Sequence, residues 1–211
     1  EFAQIDIECA FVTQEDVQVV VERVLTALWK EAGHDIATPF ERIRWADAME
    51  RFGIDKPDLR YGFELENWTA HVQPDAASFV LDGVAAGGKL RGIRVANGTT
   101  WSRKEVDALA AVAKAQGLGG LLWAKRTDAG WEGQGAKAFG TATMERIGGV
   151  SGDLLLAGVG ADAVALPAMG QVRLELTRRP EHLPTTAHAF CWIVDFPLFE
   201  LDAASGEHMP A

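Results

Sequence analysis

The two ends of the chain each carry an apolar, extended-looking run that carboxylates interrupt at regular points. The first run comprises residues 1–11 and the second comprises residues 190–200. Alternation of apolar and polar residues over such a length is typical of a β-strand. A buried carboxylate costs several kcal/mol unless a charged or hydrogen-bonding partner compensates it. We therefore expect two strands, and the acids on them are candidates for contact with a ligand.

The composition is that of an ordinary globular protein, large enough for one big domain or two small ones. Of the 211 residues, 48% are hydrophobic and 24% are charged, which is close to the usual proportions. No run reaches the roughly 20 apolar residues that span a bilayer, and we expect no signal peptide. Cys9 and Cys191 stand in no metal-ligand spacing, so we expect buried free thiols, a cytoplasmic location, no metal site and no membrane partner.

The charge of the chain is unevenly distributed. The formal net charge is −10. Between Lys89 and Arg146 ten Lys or Arg face five Asp or Glu, so this stretch carries +5 and the remainder carries −15. A stretch of opposite charge within an acidic chain indicates a separate module. It is only weak support for a phosphate-bearing partner, because most such stretches are solvated surface.

Local signals before residue 60 predict helices and short extended pieces. Thr13 is a suitable N-cap for a helix that runs to about Ala32, with valines and Leu28 along one apolar face. An extended piece at Phe40–Trp45 precedes a short helix at Ala46–Phe52 that ends at Gly53.

From about Tyr61 to His182 glycine is frequent, and the pattern alternates between strands and helices. The capping-box sequence Ser102–Glu105 predicts a helix start, and this helix ends at Gly117. The alternation predicts an α+β module of about 120 residues. The other predicted elements are strands near Ser78–Leu81, Gly92–Val95, Leu121–Lys125 and Asp153–Gly158, and helices at Phe139–Ile147 and Ala161–Leu176.

Three runs resemble segments of bacterial-type aspartyl-tRNA synthetases, which are class II enzymes. The first is Glu1-Phe-Ala-Gln-Ile-Asp-Ile-Glu8, similar to the end of motif 2 in that family. The second is Asp55-Lys-Pro-Asp-Leu-Arg60, and the third is Trp192-Ile-Val-Asp-Phe-Pro-Leu-Phe-Glu200. Leu90–Val95, Trp101–Asp107 and Gly117–Ala124 resemble the insertion domain that these enzymes share with the B subunit of an Asp/Glu-tRNA amidotransferase.

The resemblance implies an α+β fold: a partial class II synthetase antiparallel sheet with helices, interrupted by an α+β insertion domain. Residues 1–60 and 185–211 would belong to the catalytic domain, and residues 61–184 would form the insertion. The chain would then be an interior fragment of an aspartate–tRNA ligase. Since the motif 2 and motif 3 arginines that bind ATP in this family would lie outside it, we expect no complete catalytic set and no activity of the chain alone.

The resemblance also implies roles for particular residues. Asp6 matches the carboxylate that receives the α-ammonium group of aspartate, and Gln4 would line the same face. The residues that would stand at the rim of the active site are Glu8, Lys56, Asp58 and Arg60. The residue pattern alone leaves a plainer reading open, in which Gln4, Asp6 and Glu8 form an exposed polar face and the charged loop is merely solvated.

The expected partners of the parent enzyme are tRNA, aspartate and ATP, with Mg²⁺ accompanying ATP, and the parent is expected to be a homodimer. We expect the fragment alone to bind no cofactor. Two alternatives remain at this point. One is a non-catalytic tRNA-binding module of the amidotransferase B type, which should lack the Gln4–Glu8 run and the Asp195–Pro197 run. The other is an unrelated acidic interaction domain.

Overall fold

A computed structural model describes residues 2–201 and 205–210, and the chain divides into two compact units. One unit comprises Glu1–Arg42 and Phe190–Trp192, and the other comprises Ile43–Ala189 and Ile193–Ala211. Among the described residues, no helix combines the length and hydrophobicity that crossing a membrane demands. The domain boundaries inferred from the sequence, after residues 60 and 184, remain predictions.

The chain forms helices and strands in alternation after a long N-terminal helix. The helices are α1 (Gln14–Glu31), α2 (Trp45–Phe52), α3 (Ser78–Ala85), α4 (Arg103–Ala115), α5 (Gln134–Phe139), α6 (Thr141–Ile147) and α7 (Asp162–Thr177). The strands are β1 (Glu41–Arg44), β2 (Glu66–Asn67), β3 (Lys89–Val95), β4 (Leu122–Thr127), β5 (Gly130–Glu132), β6 (Leu154–Gly160), β7 (Cys191–Val194), β8 (Phe199–Leu201) and β9 (His208–Pro210). The mixed helix and strand content confirms the predicted α+β class.

Helix α1 begins where the sequence predicts. The Thr13 hydroxyl accepts a hydrogen bond from the backbone N–H of Asp16 at 3.3 Å, and the Asp16 carboxylate accepts one from the N–H of Thr13 at 2.8 Å. This reciprocal capping box satisfies two backbone donors that the first turn would otherwise leave unpaired. Lys30 lies in the last turn, where it favours the helix dipole.

Burial of α1 is the reverse of what its apolar face predicts. Gln18 and Glu22 are its buried residues. Glu22 Oε1 accepts hydrogen bonds from the backbone N–H of Phe40 at 3.1 Å and from Nε1 of Trp192 at 2.8 Å, so the buried carboxylate has the partners that it needs. The residues of the apolar face are half-buried or exposed, namely Val17, Val20, Val21, Val24 and Leu28.

The strand predicted at residues 1–11 is wrong for the part that the structure describes. Residues 2–9 adopt no helix or strand and are exposed. A strand is held by a ladder of hydrogen bonds to a neighbour, and no described strand pairs with these residues. The predicted strand at the other end is confirmed in part, because β7 forms a two-stranded sheet with β1. Cys9 is exposed and Cys191 is half-buried, so neither is the fully buried thiol that was expected.

The second unit is built on a five-stranded antiparallel sheet with the order β2-β3-β6-β4-β5. Strand β6 is central, and its residues Leu154–Ala157 are buried on both faces, which explains why they form an uninterrupted apolar run. Leu154 and Leu156 pack with residues of α4 and α7 on one face. Leu155 and Ala157 pack with residues of α3, α5 and α6 on the other. A separate hairpin pairs β8 with β9.

Two of the helix and strand predictions in this unit need correction. Ser78–Leu81 belongs to helix α3 rather than to a strand, because a short apolar run does not by itself distinguish the two structures. The helix predicted over Phe139–Ile147 is two helices, which meet at Gly140 with φ +79°. A Cβ there would lie 2.5 Å from the carboxyl carbon of Asp75. Helix α7 forms as predicted, with Pro167 inside it.

Candidate functional site

The two residues predicted to contact aspartate, Gln4 and Asp6, and the predicted rim residue Glu8 lie in the N-terminal stretch of the first unit. Gln4, Asp6 and Glu8 are all exposed and belong to no helix or strand. The structure therefore does not assemble them into a pocket-facing strand, and the roles implied for them stay predictions. Lys56, Asp58 and Arg60 belong to the second unit.

The charged loop at residues 55–60 is organised by two local ion pairs. Arg60 forms a bidentate pair with Asp58, with distances of 2.9 Å from Nε to Oδ1 and 2.7 Å from Nη2 to Oδ2. The Asp58 Oδ1 atom also accepts the backbone N–H of Arg60 at 3.1 Å. Lys56 Nζ pairs with the Asp55 carboxylate at 3.0 Å. The structure thus brings together Asp58 and Arg60 but pairs Lys56 with a neighbour that was not predicted to matter.

The ion pair between Asp58 and Arg60 also shifts the pKa values of its two members. The hydrogen bonds from Arg60 hold the pKa of Asp58 below its ordinary value, against an opposing effect of desolvation. The pKa of Arg60 is correspondingly raised by Asp58. Asp58 therefore stays ionised at neutral pH, and Arg60 balances its charge within the loop.

Two buried arginines that sequence reasoning missed lie behind this loop and beside α2. Arg173 of α7 is fully buried and binds backbone carbonyls of residues 58–63. Arg91 of β3 is 2% exposed and pairs with both Glu50 of α2 and Asp162 of α7. A sequence signal for Arg173 did exist, since it is the single cation of a mainly apolar helix. Such an arginine must find internal acceptors if the helix is buried.

Three of the ten basic residues between Lys89 and Arg146 make internal contacts. Arg94 donates to the carbonyls of Gly148 at 2.9 Å and Ile147 at 3.2 Å, which are the last carbonyls of α6 and its cap. Lys125 Nζ donates to the carbonyl of Thr99 at 2.8 Å. Arg91 and Arg94 join the sheet to helices, and Lys125 joins it to the segment before α4. The charge of +5 consequently overstates the cationic surface that is free to meet a partner.

An open cleft of about 870 Å³ lies in the second unit beside β5, α5 and α6. The guanidinium of Arg126 stacks over the ring of Trp131, with 5.3 Å to the centroid. The charged side chains that line it are Arg126, Lys137, Glu132 and Glu145. Two cations against two carboxylates give no preference for an anionic ligand. Sequence reasoning did not find this cleft, because its walls come from segments whose proximity only the fold creates.

One family of known proteins matches nearly the whole chain. The sequence model of the family of class II tRNA synthetases (D, K and N) matches residues 1–210. An aspartate–tRNA ligase of Clostridium perfringens is 36% identical over 217 aligned residues that cover 100% of this chain and 36% of that protein.

Two relatives from other organisms carry a broader name. An aspartate–tRNA(Asp/Asn) ligase of Salinispora tropica is 38% identical, covering 95% of this chain and 34% of its own length. One of Bacillus mycoides is 35% identical, covering 100% of this chain and 37% of its own length. The chain therefore spans about a third of the length of the curated relatives that it matches.

Proposed function

The chain belongs to the class II tRNA synthetases (D, K and N), and we propose that it is part of an aspartate–tRNA ligase. Such an enzyme activates aspartate with ATP and transfers the aspartyl group to the 3′ end of tRNA. The observation that carries the proposal is similarity over the whole chain to proteins named for this activity. None of these three is named as an amidotransferase subunit, and nothing in them favours that alternative.

Within this proposal Asp6 and Gln4 bind the substrate aspartate. A carboxylate and a neutral amide suit an ammonium group, because a charge-assisted hydrogen bond to a cation is about twice as strong as a neutral one. Both side chains are exposed in the present structure and so are open to a ligand. Glu8, Lys56, Asp58 and Arg60 are the proposed rim residues.

ATP enters this reaction as its Mg²⁺ complex, which is a substrate. Mg²⁺ is commonly held by one or two carboxylates together with substrate phosphates and water. The described residues contain no group of three or more His, Cys, Asp or Glu that could hold a metal ion. tRNA as the acceptor, a homodimeric parent and a cytoplasmic location complete the proposal.

The experiment that tests the proposal is aspartate-dependent ATP–pyrophosphate exchange by the full-length protein in which the chain occurs. Aspartate should support exchange, and lysine and asparagine, the other amino acids of the family, should not. Replacement Asp6→Asn should raise the aspartate KM about tenfold or more, because a hydrogen bond to a charged group is lost. Asp35→Asn is the matched control, since Asp35 is also an exposed acid of the first unit.

Each outcome bears on a different part of the proposal. Absence of aspartate-dependent exchange in the unaltered full-length protein would contradict the proposed function. Normal exchange with an unchanged aspartate KM in Asp6→Asn would contradict only the role of Asp6. The 211-residue chain assayed by itself should show no exchange, and a measurable rate would contradict the view that ATP-binding residues outside it are needed.

A further inference from the structure

Arg173 lies at the centre of an unusual buried contact in the second unit. It projects from α7, and its side chain is fully buried. Its Nε donates to the carbonyl of Phe63, and its Nη2 donates to the carbonyls of Asp58 at 2.8 Å and Tyr61 at 3.2 Å. One guanidinium thus holds three carbonyl groups from a stretch of six residues. Since the guanidinium fork is planar and rigid, these carbonyls must converge on one point.

Carbonyl groups rather than a carboxylate hold this arginine. Its Nη1 has no hydrogen-bond partner among the described residues, and the guanidinium lies over the ring of Phe52, 4.8 Å from its centroid. Burial lowers the pKa of Arg173, while the charges of Asp58 and Glu64 oppose that effect. Moving a cation out of water costs free energy. The hydrogen bonds that the buried guanidinium makes fix the shape of the segment between Asp58 and Phe63.

A second contact fixes the end of α2, from which the chain continues into this segment. Gly53 ends α2 with φ +71°, and a Cβ on it would lie 2.2 Å from the carbonyl oxygen of Leu166. A Cβ on Gly170 of α7 would in turn lie 3.0 Å from the carbonyl carbon of Gly53. The two backbones therefore meet directly, one helical turn from Arg173. The loop that follows Gly53 leaves from a point set by α7.

The loop side chains inherit this fixed geometry. Asp58 is held through its carbonyl by Arg173 and through its carboxylate by Arg60. The carbonyl of Arg60 accepts hydrogen bonds from the backbone N–H of Thr185 at 2.8 Å and from its hydroxyl at 3.0 Å. Lys56 and Arg60 consequently project from a backbone that is anchored on both sides.

We propose that Arg173 is a positioning residue for the substrate aspartate, acting through the loop at residues 55–63. This inference rests on the proposed function, in which the loop stands at the rim of the aspartate site. Arg173 itself is buried and touches no substrate. It fixes the backbone from which Asp58 and Arg60 project, and these are among the side chains that the proposed function assigns to the rim of the aspartate site.

The first arm of the test measures hydrogen–deuterium exchange in the 211-residue chain. Arg173→Lys keeps the charge but replaces the planar fork by a single ammonium group. Loss of one or two of its hydrogen bonds should speed exchange in peptides covering residues 55–65 about tenfold. Peptides of β3 and β6 should stay unchanged. Arg178→Lys is the matched control, because Arg178 is an exposed arginine immediately beyond the same helix.

The second arm uses pyrophosphate exchange by the full-length protein. Arg173→Lys should raise the aspartate KM about tenfold, with kcat and the ATP KM within about twofold of normal, whereas Arg178→Lys should change none of them. An unchanged aspartate KM, a change confined to the tRNA KM, or exchange that speeds up uniformly across the chain would overturn the inference. Failure of the unaltered protein to use aspartate would instead overturn the proposed function.

Discussion

Glu105 shows how a single side chain in this protein serves two purposes. Its carboxylate accepts hydrogen bonds from the backbone N–H and the hydroxyl of Ser102, both at 2.7 Å, which caps α4. It also accepts from Arg179, whose guanidinium stacks 3.7 Å from the centroid of the Trp101 ring. The capping half of this arrangement was predicted from the sequence. The ion pair between Arg179 and Glu105 joins residues 74 positions apart, so local sequence patterns do not predict it.

The double role of Glu105 predicts a pH dependence of stability. Arg179, and after it Ser102, lowers the pKa of Glu105 from 4.5 to about 2. Because the folded pKa lies below the unfolded one, the stabilisation is fully present above pH 4.5 and is lost as the pH falls towards 2. The Tm difference between the unaltered chain and Glu105→Gln should therefore be largest at neutral pH and shrink between pH 4.5 and 2.

The matched control for this prediction is Glu145→Gln, the same change at an exposed carboxylate of α6. Its effect on Tm should not follow the same pH course. A Glu105→Gln difference that is equally large at neutral pH and near pH 2 would show that the ionised form of Glu105 does not stabilise the fold.

The crossing of α2 and α7 depends on two glycines that permit direct contact between the backbones. Gly53 is required twice, because its φ of +71° disfavours any side chain and because the space for a Cβ is already filled. The sequence indicated Gly53 as a helix end. Its second role depends on α7, which packs against it, and no local pattern predicts that contact because Gly53 and Gly170 are separated by more than 100 residues.

Replacement Gly53→Ala should therefore destabilise the chain more than replacement Gly33→Ala. Gly33 has a similar φ of +84° but nothing within 4 Å of its Cβ position, so its substitution costs only the left-handed conformation, about 1–3 kcal/mol. Gly53→Ala adds the clash with Leu166 O at 2.2 Å. Urea denaturation of both variants measures the difference, and equal free energies of unfolding would mean that α7 moves aside at no cost.

The predicted and observed elements differ where long-range contact overrides local preference. Thr13 and Ser102 each start a helix as predicted, because a capping box is complete within four residues. The strand predicted at the N-terminus does not form, since a strand needs a partner that sequence alternation does not supply. Gln4, Asp6 and Glu8 were identified by resemblance alone, and all three are exposed.

The division of the whole chain into compact units differs from the predicted domain boundaries in a testable way. Helix α2, predicted to belong with residues 1–60, has Ala48 and Phe52 buried in the second unit. Its Glu50 also pairs with Arg91 of β3, which is almost fully buried. An excised module that begins at residue 61 would leave that arginine without one of its two carboxylates and the facing surface of α7 without its cover.

We expect residues 43–189 to fold as an independent module with cooperative thermal unfolding. Residues 61–184 should unfold at a Tm lower by about 10 °C. The reason is that a loss of several kcal/mol in the free energy of unfolding shifts the Tm of such a domain by about that much. Calorimetry of the two proteins is the measurement. Adding Arg91→Met to both proteins is the control, since neither protein then has the ion pair between Arg91 and Glu50. Equal Tm values for the two excised proteins would support the boundary at residue 60 instead.

The sequence by itself determined the α+β class, most of the helix starts and stops, and, by resemblance, the family. These features depend on contacts within a few residues or on runs that can be matched directly. Only the tertiary structure decided that α1 buries Gln18 and Glu22 instead of its valines, and that Arg173 shapes the charged loop. Both outcomes depend on hydrogen-bonding partners from distant segments. A buried charge is stable only when the fold brings hydrogen-bonding partners to it. Local sequence patterns do not predict these contacts, because the partners are distant in the sequence.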